Sequence, residues 1–247
     1  MRRVRIERAM VLAAGLGKRM RPLTDDRPKP LVELAGRTLL DRALDRLVAV
    51  GVTRIVVNSH YRAEMIAAHL DGRNDIVLSP EEVLLETGGG VKAALAHLGG
   101  DPFFVVNSDA VWRDGPTPTL ERLATHWRDA SMDALLLLVP TRAIRGATIG
   151  ALGDYHLEPD GRARRRVKGE IAPFLFGGIQ ILHPRLFDAA PEGPFSLNLL
   201  YDRAEATGRL HGMRHDGDWY HVGTPGELAM TEAELGGGRA GERPPGW

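Results

Sequence analysis

The chain of 247 residues contains no cysteine, few aromatic residues (6%) and no net charge, because 32 Lys and Arg balance 32 Asp and Glu. Each absence closes a class. Without cysteine there is no disulfide scaffold, thiolate nucleophile or Cys-ligated zinc, and the composition suits a reducing compartment. Without a charge excess there is no broad basic face for nucleic acid or an anionic membrane, although a local basic pocket for phosphate is still allowed. No apolar run approaches the roughly 20 residues of a membrane span. The early stretch 9–16 ends at Gly17-Lys18-Arg19. Arg2, Arg3 and Arg5 before it imitate a secretory signal, but Glu7 interrupts them and Arg19 and Arg21 follow, so the run reads as a buried strand of a cytoplasmic protein.

What is present is an alternation of two patterns. Short apolar runs at 9–13, 54–58, 75–79, 102–107 and 134–139 are separated by helical patterns at 38–50, 63–70, 91–98 and 120–129. Within the first of these, Leu40, Ala43, Leu44 and Leu47 follow the helical period behind Thr38 as N-cap. Strands alternating with helices of this length predict an α/β fold with a doubly wound, mainly parallel, Rossmann-like mixed sheet. Beyond residue 146 the pattern changes: a hairpin around Pro159-Asp160-Gly161, a long strand over 174–182, helices over 196–207 and 225–235, and short strands over 210–213 and 219–222. These predict a mixed edge and a small antiparallel lid on the same sheet. Residues 1–235 then form one domain in two parts, 1–140 and 141–235. The last stretch, 236–247, with five Gly and two Pro, has the composition of a flexible tail.

The most informative segment runs Leu12-Ala13-Ala14-Gly15-Leu16-Gly17-Lys18-Arg19-Met20-Arg21-Pro22-Leu23-Thr24 and closes with Lys29-Pro30-Leu31. Glycines directly after a strand let backbone approach a phosphate chain, and Lys18, Arg19 and Arg21 can neutralise it. A Walker loop would end in Gly-Lys-Ser/Thr, and a dinucleotide fingerprint would have glycine where Met20 stands; neither is met. In an open parallel sheet the ligand sits beyond the carboxyl ends of the strands. Gly15 to Arg19, Asn58 with His60, Pro80 with Glu81, and Asn107 with Asp109 all follow successive strands, so polar or glycine residues collect at one edge. Asp109 follows an apolar run, a costly place for a carboxylate unless it serves a Mg²⁺ bridging phosphate oxygens. Gly88-Gly89-Gly90 would let backbone lie flat against a planar ligand and offer amides at a helix N-terminus.

The long segment resembles the signature of the sugar-1-phosphate nucleotidylyltransferases, Leu-Ala-Ala-Gly-x-Gly-x-Arg-hydrophobic-x-Pro-Leu-Thr followed by Lys-Pro-Leu, at every fixed position. With Leu85-Glu86-Thr87-Gly88-Gly89-Gly90, Val106-Asn107-Ser108-Asp109 and Gly178-Ile179-Gln180-Ile181-Leu182-His183-Pro184, the resemblance covers roughly 9–235 and is closest to the short bacterial N-acetylmuramate-1-phosphate uridylyltransferases. It implies a transferase that makes a nucleotide-sugar and pyrophosphate from an NTP, with UTP favoured, and a sugar 1-phosphate, here N-acetylmuramate 1-phosphate, in peptidoglycan recycling. The first part of the chain would bind nucleotide and the second the sugar phosphate. Neither nucleic acid nor membrane is a partner, and monomer and dimer are both open.

The resemblance also carries residue roles. Leu12, Ala13, Ala14, Gly15, Gly17 and Lys18, with Gly88, Gly89 and Asn107, would hold the nucleotide, Glu81 would read the base edge, and Asp109 would bind Mg²⁺. Arg19 would act on the leaving phosphates, and Lys29 on the attacking and α-phosphates. His221, in Trp219-Tyr220-His221-Val222-Gly223-Thr224, stands where relatives carry a second metal aspartate. Imidazole suits Mn²⁺ or Co²⁺ better than Mg²⁺, so His221 reads either as a metal ligand or as a phosphate contact. Lys168 and Glu170 lie near a sugar-phosphate Glu-Lys pair of the family, though a solvated basic hairpin fits the segment equally. Asp154 and Asn198 are further sugar candidates, with a turn as the alternative for Asp154. No general base is needed, because a phosphate monoester is anionic at neutral pH. The alternatives are a mannose-1-phosphate guanylyltransferase, a glucose-1-phosphate thymidylyltransferase or uridylyltransferase, or a catalytically silent nucleotide-sugar-binding subunit.

Overall fold

A computed structural model describes residues 5–145 and 152–236; most of the glycine- and proline-rich tail lies outside them. Strand β1 (Arg8–Leu12) is followed by the hairpin β2 (Glu33–Leu34) and β3 (Arg37–Thr38), helix α1 (Leu39–Ala49), β4 (Arg54–Ser59), α2 (Ala63–His69) and β5 (Ile76–Pro80). Next come α3 (Glu86–Leu98), β6 (Phe103–Asn107), β7 (Val111–Trp112), α4 (Thr119–His126), β8 (Ala134–Pro140) and β9 (Ile144–Arg145). The remainder is β10 (Tyr155–Leu157), β11 (Ala163–Arg165), β12 (Phe174–Leu182), α5 (Asn198–Ala206), β13 (Leu210–Arg214), β14 (Trp219–Tyr220) and α6 (Pro225–Gly236).

The main sheet runs β5-β4-β1-β6-β12-β8-β13, and the β10-β11 hairpin attaches to the start of β12. Its first four strands are parallel; β12 then runs antiparallel to both β6 and β8, and β13 returns parallel to β8. This is the doubly wound mixed sheet expected, and the central strands β1 and β6 carry runs of buried apolar residues because both their faces are covered, whereas the edge strand β5 is only partly buried. Ala9, Val11, Ile55, Val57, Phe104 and Val106 pack with Leu40, Leu44 and Leu47 of α1 on one face. Met10, Val56, Phe103 and Val105 pack with Val91 and Ala94 of α3 and Leu200 of α5 on the other. Alternation along each strand therefore divides its side chains between the two layers. Thr38 caps α1, its hydroxyl accepting from the Asp41 amide at 3.0 Å.

A second sheet, β7-β14-β9, forms the lid, antiparallel between β14 and β7 and parallel between β14 and β9. Its two-residue strands are too short to leave a period in the sequence. Near the middle of β12 the register shifts between Phe176 and Gln180. Gly178 takes φ +71° there, and a side chain on it would meet Asn107 Nδ2 at 2.9 Å. Glycine at this bulge thus lets β12 close tightly over the end of β6.

Candidate active site

The carboxyl ends of β1, β4 and β6 open into a cleft of about 420 Å³. Leu12, Ala13, Ala14, Gly15 and Gly17 line it together with Lys29, Asn58, Thr87, Asn107, Asp109 and Ser196. The glycine loop is shaped by its far end. Gly17 sits at φ +59°, its carbonyl accepts from the Thr24 hydroxyl at 2.9 Å, and a side chain there would press on Lys29 Cβ at 3.0 Å. The loop can lie flush on the Lys29 turn only because it lacks a side chain at that point. Lys29 opens a single 3₁₀ turn (Lys29–Leu31) between Pro28 and Pro30, which fix its backbone.

Lys29 Nζ lies 2.5 Å from Asp109 Oδ2, with the lysine side chain 12% and the aspartate 37% exposed. The other Asp109 oxygen has no protein partner among the described residues, so the carboxylate is half engaged and half open to the cleft. Lys18 and Arg19 lie on the 3₁₀ turn Lys18–Met20, both exposed, and neither forms an ion pair among the described residues. Buried Met20 anchors that turn in the lid core with Val32, Tyr220 and Leu228. Lys18 and Arg19 both follow the glycine loop directly, but neither lines the cleft itself.

Behind the loop is a buried network built on Asn58, which the sequence placed at the ligand edge without assigning it a role. Asn58, at the end of β4, accepts from the Ala13 amide at 2.8 Å and donates to Glu81 Oε1 at 2.7 Å. Glu81 Oε2 accepts from the Leu85 amide at 2.9 Å. Both carboxylate oxygens of Glu81 are thus engaged inside the protein, which corrects its expected role at the base edge: it braces Asn58 and, through it, the loop. Its place after β5 marked it as a site residue, but a strand-end position does not reveal which way a side chain turns.

The triple glycine also needs correction. It is not a loop before a helix but part of the first turns of α3, which starts at Glu86. The Gly88 and Gly89 amides donate to the Phe195 carbonyl at 2.8 and 3.2 Å, so they are not free for a ligand. Side chains at these positions would collide with Phe195 and with the Gly193 carbonyl, and one at Gly90 with Glu81 and Asn58. The glycines permit close packing behind the cleft, whereas Thr87 and Glu86 line it.

His221 follows β14, and continuing the pairing of Tyr220 with Val111 brings it level with Ala110, the neighbour of Asp109. Its Nε2 lies 3.7 Å from Glu227 Oε2. A side chain on Gly223 would touch His221 Nε2, Glu227 Oε2 and Arg19 Nη1, so these three groups converge over that glycine. Glu227 was not singled out in the sequence; its amide donates to the Thr224 hydroxyl at 3.3 Å at the start of α6, and its carboxylate accepts from the Gly223 amide at 3.0 Å. No three His, Asp or Glu side chains converge on a common metal position among the described residues.

A second cavity lies beyond Ser196. It is lined by Asp154, Lys168 and Asn198, together with Arg165, Arg166 and Phe176. Asp154 Oδ2 accepts from the Phe176 amide at 3.0 Å, which fixes it at the start of β12. Glu170 is not part of this cavity. It accepts from Arg164 at 2.9 Å and from the Val167 amide at 3.0 Å, and the Arg164 guanidinium holds its carboxyl below the usual range. Its place beside Lys168 in sequence put it among the sugar contacts, but the tight turn over 167–170 folds it back on the hairpin.

Residues 9–190 match the model of the MobA-like NTP transferase domain. The chain is 47% identical to an N-acetylmuramate alpha-1-phosphate uridylyltransferase of Caulobacter vibrioides over 92% of its length and 96% of the relative's. It is 36% identical to the protein of that name from Neisseria meningitidis serogroup B, over 93% of this chain and 98% of the other. The inositol-1-phosphate CTP transferase from T. maritima has the same fold, with a TM-score of 0.75 over 96% of this chain and 99% of that one, at 16% identity.

Proposed function

The chain belongs to the MobA-like NTP transferase family, and we propose that it joins UTP to N-acetylmuramate 1-phosphate, giving UDP-N-acetylmuramate and pyrophosphate in the cytoplasm. We read residues 1–235 as one domain carrying this activity. The observation that carries the reading is the Lys29–Asp109 pair, 2.5 Å apart in a glycine-lined cleft at the sheet's carboxyl edge. Identities of 47% and 36%, over more than nine-tenths of this chain, to two proteins named as N-acetylmuramate alpha-1-phosphate uridylyltransferases support this substrate pair over the guanylyl and thymidylyl alternatives.

In this reading the sugar-phosphate oxygen attacks the α-phosphorus in line and pyrophosphate leaves. Alignment and charge are what the protein supplies. The loop from Leu12 to Gly17 seats the nucleotide, Asn58 holds that loop, and Lys29 reaches both the attacking phosphate and the α-phosphate. Lys18 and Arg19 meet the leaving phosphates. A divalent cation fits the donor set, since Asp109 offers one open carboxylate oxygen and the substrate phosphates offer more, the arrangement Mg²⁺ prefers. When bound it neutralises charge on the phosphates. His221, beside Arg19 and Glu227, either completes its ligands or contacts the same phosphates.

Pyrophosphate release measured over four NTPs, several sugar 1-phosphates, and Mg²⁺ against Mn²⁺ tests the proposal. UTP with N-acetylmuramate 1-phosphate is expected to be fastest. A faster GTP with mannose 1-phosphate reaction would replace it, and binding without pyrophosphate release would identify a silent subunit. The His221→Asp variant in the same grid reports on the metal: a changed Mg²⁺ to Mn²⁺ preference marks His221 as a ligand, and an unchanged one assigns it to phosphate.

A further inference from the structure

The hairpin of β10 and β11 and the turn after it carry five cations in seven residues, Arg162, Arg164, Arg165, Arg166 and Lys168. Three have carboxylate partners: Arg162 with Asp160 at 3.4 Å, Arg164 with Glu170 at 2.9 Å and Arg165 with Asp202 at 2.7 Å. The remaining two, Arg166 and Lys168, have none among the described residues, and both line the second cavity. Arg165 lines it too, with its charge already met by Asp202, so Arg166 and Lys168 are the unmatched cations of this lining. Arg166 is also held in place, since its Nε donates to the Gly153 carbonyl at 2.6 Å. That bond fixes the guanidinium plane and leaves both Nη groups for another acceptor. Asp154, the nearest carboxylate in the cavity wall, uses one oxygen on the Phe176 amide.

This cavity adjoins the cleft. Ser196 lines one and Asn198 the other, and two residues span at most about 7.6 Å between Cα atoms. The segment 196–198 therefore borders both cavities, and a sugar ring held beside it has the second cavity as its neighbour. From this we infer that Arg166, assisted by Lys168, is an anion subsite for a carboxylate carried on the sugar ring, which makes the acceptor an acidic sugar 1-phosphate rather than a neutral one. The inference rests on the reaction proposed above. N-acetylmuramate differs from N-acetylglucosamine by a lactyl ether that ends in a carboxylate, so this pair of sugars isolates the group concerned.

The experiment compares kcat/KM for N-acetylmuramate 1-phosphate and N-acetylglucosamine 1-phosphate, with UTP, in the wild type, Arg166→Met and Arg166→Lys. Charge-assisted hydrogen bonds predict that the preference for the acidic sugar falls by at least about tenfold in Arg166→Met and is partly restored in Arg166→Lys. If both sugars lose equally, Arg166 only supports the hairpin and the inference is overturned. Calorimetry with N-acetylmuramate 1-phosphate and its neutral analogue reads the subsite without turnover. Tighter binding of the acidic sugar that disappears in Arg166→Met supports the subsite even where no pyrophosphate is released, an outcome that would instead reject the reaction. Equal binding of the two sugars by the wild type rejects the subsite alone.

Discussion

Lys29 and Asp109 form an ion pair of unequal partners, and the inequality predicts how it fails. The lysine side chain is 12% exposed and the aspartate 37%, so Asp109 can rehydrate when its partner is removed, whereas a lysine left alone would remain largely buried. Exposed or half-exposed pairs contribute about 1 kcal/mol or less, and removing one partner of a pair is strongly destabilising only where the charge left behind is buried, which Asp109 is not. Charge placed on a developing transition state contributes far more. Lys29→Met is therefore expected to lower turnover by roughly 10²- to 10³-fold while shifting the urea midpoint little. Parallel loss of turnover and stability would make Lys29 a structural strut instead. The two residues stand 80 positions apart, and each was legible for a different reason: Lys29 by its prolines, Asp109 by its apolar approach. Asn58 and Glu227 were less legible, because an amide at a strand end and an acid in a helical first turn are ordinary there. Only the fold turns the first toward Ala13 and the second toward His221.

At the scale of elements, α3 poses a question of sign. Glycine in a helix is worse than alanine by roughly 0.5–1 kcal/mol, so Gly89→Ala should stabilise if propensity decides. Packing opposes it, because the new side chain would lie 2.4 Å from the Gly193 carbonyl oxygen, a backbone atom that cannot rotate away. Forcing extra volume into packed surroundings costs about 1–3 kcal/mol, so the net expectation is destabilisation. Thermal unfolding gives the sign directly, and a higher midpoint would refute the packing account. The edge formed by β13 predicts a pH dependence. Burial lowers the pKa values of His183, His211 and His215, all near or on that edge, from an ordinary 6.5. His215 illustrates why: its Nε2 is 3.1 Å from the Asp218 carbonyl and its Nδ1 has no partner, which suits the neutral ring. The unfolded chain then binds protons first, so stability is complete above about pH 6.5 and declines as pH falls from there toward the folded pKa values. Urea midpoints should be flat from about pH 7 to 8 and fall between about 6.5 and 5. A midpoint unchanged across the lower range would contradict burial of the neutral rings. Long apolar strands and amphipathic helices were readable in advance, including β12 from end to end, because each repeats a period. β7, β9 and β14 were not fully readable, since their pairing is made by distant chain.

Across the whole molecule, the chain order and the sheet order disagree, and that disagreement binds the two halves together. A cut after residue 140 appears natural in the sequence, where the β-α-β pattern ends. In the sheet, however, β8 (Ala134–Pro140) lies beyond β12, and its partners are β12 and β13, both from the later part. The fragment 1–140 would therefore leave β8 unpaired and β6 without its neighbour on one side. Leu135, Leu136, Leu137, Leu138 and Val139 are all fully buried in the whole chain. At about 2 kcal/mol for each such side chain their burial contributes about 10 kcal/mol, which is comparable with the entire stability of a domain at about 5–15 kcal/mol. The fragment is accordingly expected to show no cooperative urea transition and to associate through its exposed strand edges, while the full chain unfolds in one step followed equally by tryptophan fluorescence and far-ultraviolet circular dichroism. A fragment that folds and binds nucleotide alone would overturn this. If it does not, the cleft at Lys29 and the cavity at Arg166 belong to one cooperative unit, joined through the Ser196–Asn198 turn that walls both, and neither half of the substrate can be bound by half of the protein.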